Sequence, residues 1–86
     1  MVYRINYKGS IKKDLKKLDK TTVRKLIDKL ESVLSKDPNI GEPLKGKFKG
    51  LFKYRIGDYR VIYAKGDDFI LVLRIRDRKE AYRHVN

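Results

Sequence analysis

The sequence predicts an α+β domain with the order β-α-α-β-β-β, in which an N-terminal αα-hairpin packs on one face of a four-stranded, mostly antiparallel sheet. Apolar residues recur at helical spacing between Ile11 and Leu34, and they alternate at strand spacing between Leu51 and Ile75. Helices that precede a run of strands are typical of the α+β class. Because 86 residues suffice for one compact core but not for two, we expect a single domain over residues 1–86.

The order of the elements follows from local signals. A first strand is predicted at Val2–Tyr7, where β-forming residues alternate with polar ones. Ser10 is a candidate N-cap of the first helix, and the second helix must end before Pro38. After a loop that holds both prolines, three further strands are predicted at Leu51–Ile56, Tyr59–Lys65 and Phe69–Ile75.

The net charge is the strongest compositional signal. The chain has 23 Lys and Arg against 11 Asp and Glu, a formal net charge of +12. Such a field attracts polyanions, of which nucleic acid is the usual one, with acidic proteins and anionic membranes as rivals. A lysine-rich solubilising surface of the thermophilic kind is the alternative, but that surface predicts that Glu rises together with Lys. Here the acids lag far behind, which favours a polyanionic ligand.

The rest of the composition excludes several kinds of site. There is no cysteine, so disulfides and thiolate metal sites are excluded and a reducing cytoplasm is the expected location. One histidine cannot build a zinc site, and we expect neither a metal nor a cofactor. No apolar stretch approaches the roughly 20 residues of a membrane span, and no signal peptide is recognisable, so we expect no membrane contact.

A hairpin register can be read from the turn between the second and third strands. Glycine in the first position of the two-residue turn Gly57–Asp58 favours a type II′ turn. That turn pairs Arg55 with Arg60 on one face of the hairpin and leaves apolar and aromatic residues on the other. Like charges that face each other across a strand pair are destabilising, so a ligand that supplies the anion is the functional interpretation. The alternative is that these arginines point into solvent or reach acids elsewhere.

The last strand extends the cationic face in this interpretation. A three-residue loop at Gly66–Asp68 gives a register that also places Arg74 beside Arg60, with Arg76 farther along. In that register three apolar side chains point to the core: Leu71, Leu73 and Ile75.

Two motifs of the chain are distinctive. The first is Leu44-Lys45-Gly46 followed by the stretch from Gly50 to Tyr63, in which residues 55–63 read RIGDYRVIY. The second, at residues 78–82, reads RKEAY. Both resemble motifs of the RelE/ParE superfamily of toxins from toxin–antitoxin systems, and with the preceding αα-hairpin the resemblance covers almost the whole chain.

The resemblance implies a RelE-type mRNA interferase, a ribosome-dependent endoribonuclease held by a RelB-like antitoxin in a hetero-oligomer. By motif, Arg60 matches the strand arginine that contacts phosphate, and Arg78 and Tyr82 match the arginine and tyrosine of the second motif. Lys53 and Arg55 occupy the strand that carries further cations. We expect five more basic residues to contact RNA: Lys45, Lys47, Lys49, Arg74 and Arg76.

RNA cleavage needs few protein groups because RNA carries its own nucleophile, the 2′-hydroxyl. The protein must orient that hydroxyl, accept its proton, stabilise the crowded phosphate and protonate the leaving 5′-oxygen. The base is left open between Tyr82, Lys53 and His84. Three other functions also remain open: a ParE-like toxin that poisons DNA gyrase, an inactive relative that only binds an antitoxin, and an RNA-binding module with exposed aromatic platforms.

Overall fold

The computed structural model describes residues 3–77, and over this range the predicted order of elements is confirmed with one strand added. The elements are β1 (Arg4–Tyr7), α1 (Ser10–Lys16), α2 (Lys20–Lys36), β2 (Glu42–Pro43), a 3-10 turn (Gly46–Phe48), β3 (Leu51–Ile56), β4 (Tyr59–Lys65) and β5 (Phe69–Asp77). The sequence predicted four strands and the sheet has five. The addition, β2, is two residues long and half proline, so no alternation could reveal it.

The sheet is mixed, with the strand order β1-β5-β4-β3-β2. β1 runs parallel to β5, and every other neighbouring pair is antiparallel. Side chains of both helices and of one sheet face form a single core. Its buried apolar members are Ile11, Leu26, Leu30, Leu34, Val61, Tyr63, Ile70, Val72 and Ile75. No helix among residues 3–77 is long and apolar enough to cross a membrane.

The two helices form because apolar residues return every three to four positions. In α2 the buried residues Leu26, Leu30 and Leu34 are four apart and stack on one face. The start of α1 differs from the prediction, because Gly9 occupies the N-cap position and Ser10 is already helical. The Ser10 hydroxyl instead donates to the carbonyl oxygen of Leu73 in β5, at 3.1 Å.

Tyr63 fixes the loop after α2 to the sheet. Its side chain is fully buried, its ring stacks on Phe52 with centroids 5.5 Å apart, and its hydroxyl donates to the Pro38 carbonyl at 2.9 Å. The same hydroxyl accepts from the Gly41 N–H at 3.1 Å. A Cβ at Gly41 would collide with that oxygen, so only glycine allows the approach. These contacts bring β2 alongside β3.

The predicted β3–β4 hairpin is confirmed residue by residue. Ile56 pairs with Tyr59 and Arg55 pairs with Arg60. Gly57 has a φ of 58°, whereas no residue other than glycine among those described has a positive φ, as a type II′ turn with glycine first requires.

The predicted β4–β5 register is wrong. Lys65 pairs with Ile70, so the connecting turn is one residue longer than expected, and Leu71 faces away from the core. Farther along, Tyr63 pairs with Val72 but Ile62 pairs with Arg74, which leaves Leu73 as the extra residue of a β-bulge. Alternation cannot find this register, because β5 consists of two segments of opposite parity joined by the bulge.

Candidate functional site: a row of arginines on the sheet

Three arginines lie side by side on the sheet face that is turned away from the helices. Arg60 in the middle strand pairs with Arg55 of β3 on one side and with Arg76 of β5 on the other. Directly paired residues in a sheet have Cβ atoms about 4.5–5.5 Å apart, so the three side chains start close enough together to reach one anion. All three side chains are exposed. We call Arg55, Arg60 and Arg76 the arginine row.

The arginine row lies outside three ion pairs of the described part of the chain. These pairs join Arg4 with Asp68, Lys53 with Glu42 and Arg74 with Asp14. Within the row, Arg55 donates from Nε to the Gly57 carbonyl at 3.2 Å, which steadies that side chain. Because guanidinium groups offer planar forks of donors, three in a line suit the oxygens of a phosphate.

A cleft of about 390 Å³ opens beside the row and extends toward the edge of the sheet. On its floor Lys53 lies one pleat along β3 from Arg55, and Glu42 of β2 faces it with 3.7 Å between Nζ and Oε2. No pattern in the sequence predicts this carboxylate, because β2 is too short to show strand alternation. The cleft is lined by Ile40, Glu42, Lys53, Tyr54, Arg55 and Arg60.

Arg74 takes a different place from the one predicted. It pairs with Ile62 in the ladder rather than with Arg60, and Arg76 occupies the position expected for it. Its guanidinium donates from Nε and Nη2 to the two carboxylate oxygens of Asp14, at 3.1 and 3.2 Å. A guanidinium committed to a carboxylate is a poor match for the free RNA contact that we expected.

The basic loop before β3 forms a separate surface. Lys45, Lys47 and Lys49 are exposed around the 3-10 turn, and Lys47 Nζ lies 5.7 Å from the ring centroid of Phe48. At about 3.3 Å per residue, the start of β3 is roughly 13 Å from Arg55. These lysines therefore lie apart from the arginine row. Arg78 and Tyr82, like His84, lie outside the described residues.

Comparison with known proteins decides the family. Residues 5–82 match the family model described as the ParE toxin of type II toxin–antitoxin systems. This chain belongs to that family. The toxin is also similar to Toxin RelG of Mycobacterium tuberculosis, with 29% identity over 96% of this chain and 99% of that protein.

Solved structures of relatives agree with this assignment. The toxin–antitoxin complex RelBE2 from Mycobacterium tuberculosis contains a chain that superposes with a TM-score of 0.85, at 27% identity over 91% of this chain and 93% of that one. A mutant of Escherichia coli toxin RelE, with two arginines replaced by alanine and in complex with an antitoxin peptide, superposes with a TM-score of 0.71. Its identity is 25%, over 100% of this chain and 96% of that one. The toxin therefore has the RelE-like fold of the RelE/ParE superfamily.

A second surface of the toxin lies on the helix side, behind the sheet. Two shallow depressions of about 340 and 440 Å³ share Lys12 and Leu15 and run along α1. At one end the Tyr7 hydroxyl donates to Glu31 of α2, and burial together with this hydrogen bond raises the pKa of the Tyr7 phenol. The apolar floor and basic rim consist of Leu15, Leu18, Val23 and Ile27, and of Lys8, Lys12, Lys16 and Lys20. We call this surface the lysine-rimmed groove.

Proposed function

We propose that this toxin is a ribosome-dependent endoribonuclease that cleaves mRNA in the cytoplasm by promoting attack of a 2′-hydroxyl on the adjacent phosphate. The observation that carries the proposal is the arginine row, three exposed guanidinium groups on neighbouring rigid strands. A phosphate that is being attacked gains negative charge on its equatorial oxygens. Cations already fixed around it therefore stabilise the transition state more than the bound RNA.

Arg60 is the central group of this mechanism. It lies on the middle strand of the row, between Val61, which is fully buried in the core, and Tyr59, which packs against it. A side chain anchored in this way keeps its position as the phosphate passes through the transition state. Arg55 and Arg76 complete the anion site from either side, and the new phosphorus–oxygen bond forms as the bond to the leaving 5′-oxygen breaks.

Within the cleft, Lys53 is the candidate for the base that accepts the proton of the 2′-hydroxyl. Its ammonium is within reach of a phosphate bound by the neighbouring Arg55, and Glu42 holds it from the opposite side. By motif, Tyr82 is a second candidate for the base and Arg78 is a further phosphate ligand, while His84 is the third candidate for the base. Comparing Lys53→Met, Tyr82→Phe and His84→Ala assigns the base, because loss of the base abolishes the rise of rate with pH whereas loss of a phosphate ligand lowers the rate at every pH.

The proposal is tested by incubating purified toxin with a defined mRNA, with and without ribosomes. We expect cleavage only with ribosomes, at a site in the decoding position. Cleavage of free RNA at the same rate would contradict ribosome dependence, and intact mRNA in both reactions would contradict the nuclease.

A second function, poisoning of DNA gyrase, is favoured by one observation, the match to the ParE family model. A supercoiling assay with purified gyrase separates the two functions. Inhibition of supercoiling together with intact ribosomal mRNA would replace the nuclease by the gyrase poison.

We also propose that a RelB-like antitoxin restrains this toxin and occupies the lysine-rimmed groove with an acidic amphipathic helix. The apolar floor fits the apolar stripe of such a helix, and the four lysines at the rim match acids on its flanks. Reversing two rim charges with Lys12→Glu and Lys16→Glu should weaken binding of the antitoxin roughly 10-fold or more. Lys29→Glu, on α2 outside both depressions, is the matched control. Equal copurification of both variants with the product of the neighbouring reading frame would contradict the proposed site.

A further inference from the structure

The β-bulge in β5 determines which face of the sheet Arg76 belongs to. Before the bulge, Val72 points to the core, and strict alternation from there would direct Arg74 and Arg76 to the core as well. The extra residue Leu73 reverses the parity, so that Ile75 is buried and Arg76 stands beside Arg60. The arginine row therefore has its third member only while the bulge is in place.

Two side chains of α1 hold the bulge. Pairing with β1 ends at Val72, whose carbonyl accepts from the Lys8 N–H at 2.9 Å. Beyond that point α1 replaces the strand: the Ser10 hydroxyl donates to the Leu73 carbonyl at 3.1 Å, and the Ile75 N–H donates to the Asp14 carboxylate at 3.0 Å.

Asp14 is buried, with 8% of its surface exposed, and no other charged residue among residues 3–77 is buried. Its position is unusual for an acid, because it falls on the apolar stripe of α1 between Ile11 and Leu15. Burial of a carboxylate is unfavourable without partners, and here its two oxygens accept from the Ile75 N–H and from the guanidinium of Arg74. All of these partners belong to the segment directly before Arg76.

We infer that Ser10 and Asp14 are positioning residues for phosphate recognition, because they fix the bulge that places Arg76 in the arginine row. This inference rests on the proposed function of the row. Helix α1 lies on the far side of β5 from the cleft, and the inference gives it an indirect part in the chemistry. Without the hydrogen bonds from Ser10 and Asp14, the end of β5 loses its register and Arg76 loses its alignment with Arg60. Misplacement of a group by about 1 Å costs up to roughly 10²-fold in rate.

A double-mutant cycle tests the inference through cleavage of ribosome-bound mRNA. We expect Asp14→Ala to lower the single-turnover rate by about 10-fold with little change in the half-saturating concentration of ribosomes, and we expect no further loss in the Arg76→Ala background. Asp14→Asn should restore most of the rate, since the amide oxygen still accepts from the Ile75 N–H. Asp28→Ala, an exposed acid of α2, is the matched control. An equal loss from Asp14→Ala in both backgrounds would overturn the inference.

Ser10→Ala repeats the test with a smaller perturbation if Asp14→Ala does not fold. It removes only the bond to the Leu73 carbonyl, and we expect a loss of several-fold that also disappears in the Arg76→Ala background. A Ser10→Ala loss that persists in that background, or no loss at all in the parent background, would contradict the role of the bulge.

Inorganic phosphate provides a readout that does not depend on nuclease activity. In isotope-labelled protein, the Nε–H signals of Arg60 and Arg76 should shift together as phosphate is added, and in Asp14→Ala only the Arg60 signal should shift. Concerted shifts that survive in the variant would overturn the positioning role, even in an active nuclease. If Asp14→Ala loses the concerted shift but the parent cleaves no mRNA, the positioning role stands and the proposed function is refuted. If the parent shows no shift with phosphate, both are overturned.

Discussion

The two halves of β5 are held in different ways. From Phe69 to Val72, β5 pairs with the parallel strand β1 on one edge and with the antiparallel strand β4 on the other. The side chains of this half that point away from the core are apolar. From Arg74 to Asp77 only β4 continues, while α1 satisfies the other edge through Ser10 and Asp14. The outward side chains there are arginines.

Under the proposed function, this difference separates the residues that stabilise the fold from the residues that bind the ligand. Backbone pairing on both edges needs no particular side chain, so the first half depends only on burial of Ile70 and Val72. The second half depends on two specific side chains of another element, and it carries the charge that opposes folding. Where a strand pairs on one edge only, a bulge can change the face to which its side chains point. Such a segment is therefore suited to carry the side chains of a binding site.

The largest expected effect on the cleavage rate comes from removing Arg60, the central side chain of the arginine row. Arg60→Ala should lower the single-turnover rate of ribosome-bound mRNA cleavage by on the order of 10²-fold, by analogy with the loss of one preorganised donor. The domain should remain folded with an unchanged or higher melting temperature, because the substitution relieves repulsion with Arg55 and Arg76. Arg24→Ala, an exposed arginine of α2, is the control, and a parental rate in Arg60→Ala would refute the assignment.

Alternation of apolar residues predicted those strands in which every second side chain points to the core along the whole length of the strand. It gave the β3–β4 pairing, with Arg55 opposite Arg60, because the Gly57–Asp58 turn fixes the register from one end. It failed for Leu71 because the β4–β5 turn is one residue longer than predicted, and for Leu73 because a bulge changes parity without any signal in the residue types.

The positions of the candidate site residues were predictable to the same extent. Arg60 and its neighbour on β3 followed from the hairpin, whereas the longer turn and the bulge together place Arg76, and not Arg74, beside Arg60. One signal was present and missed: Asp14 on the apolar stripe of α1 marks a buried acid that must have partners elsewhere. The carboxylate of Glu42 carried no such signal, because its strand has only two residues.

A smaller effect is expected from the core side of the sheet. Tyr63→Phe leaves the Gly41 N–H and the Pro38 carbonyl without their buried partner, so the free energy of unfolding should fall by about 1–3 kcal/mol. The rate of cleavage by the folded variant should not change, since Tyr63 faces away from the arginine row. Urea denaturation compared with Tyr7→Phe, whose hydrogen bond to Glu31 is exposed, measures the difference. A rate loss without a loss of stability would contradict the separation of the two faces.

Alkaline pH tests the contribution of the buried tyrosines to stability. Burial raises the pKa of both the Tyr63 and the Tyr7 phenols, so the folded state favours their neutral forms. The sign follows: their contribution to stability is complete below the unfolded value near 10 and is lost as the pH rises through the higher folded values. Melting temperatures between neutral and strongly alkaline pH should fall less in Tyr63→Phe than in the parent, and parallel curves would contradict it.

The smallest effect is a gain in stability on the charged side. Arg55 faces Arg60 directly, and like charges in that position are destabilising, so Arg55→Gln should raise the free energy of unfolding by about 0.2–1 kcal/mol. The bond from Arg55 to the Gly57 carbonyl is exposed, and its loss should offset only part of the gain. Because salt screens exposed charges, the difference should shrink at high ionic strength, whereas Arg55→Lys should match the parent at every salt concentration. Urea denaturation of the three proteins at low and high salt measures this. A variant Arg55→Gln that is less stable at low salt would mean that the row is compensated within the protein, and it would remove the reason to expect a phosphate there.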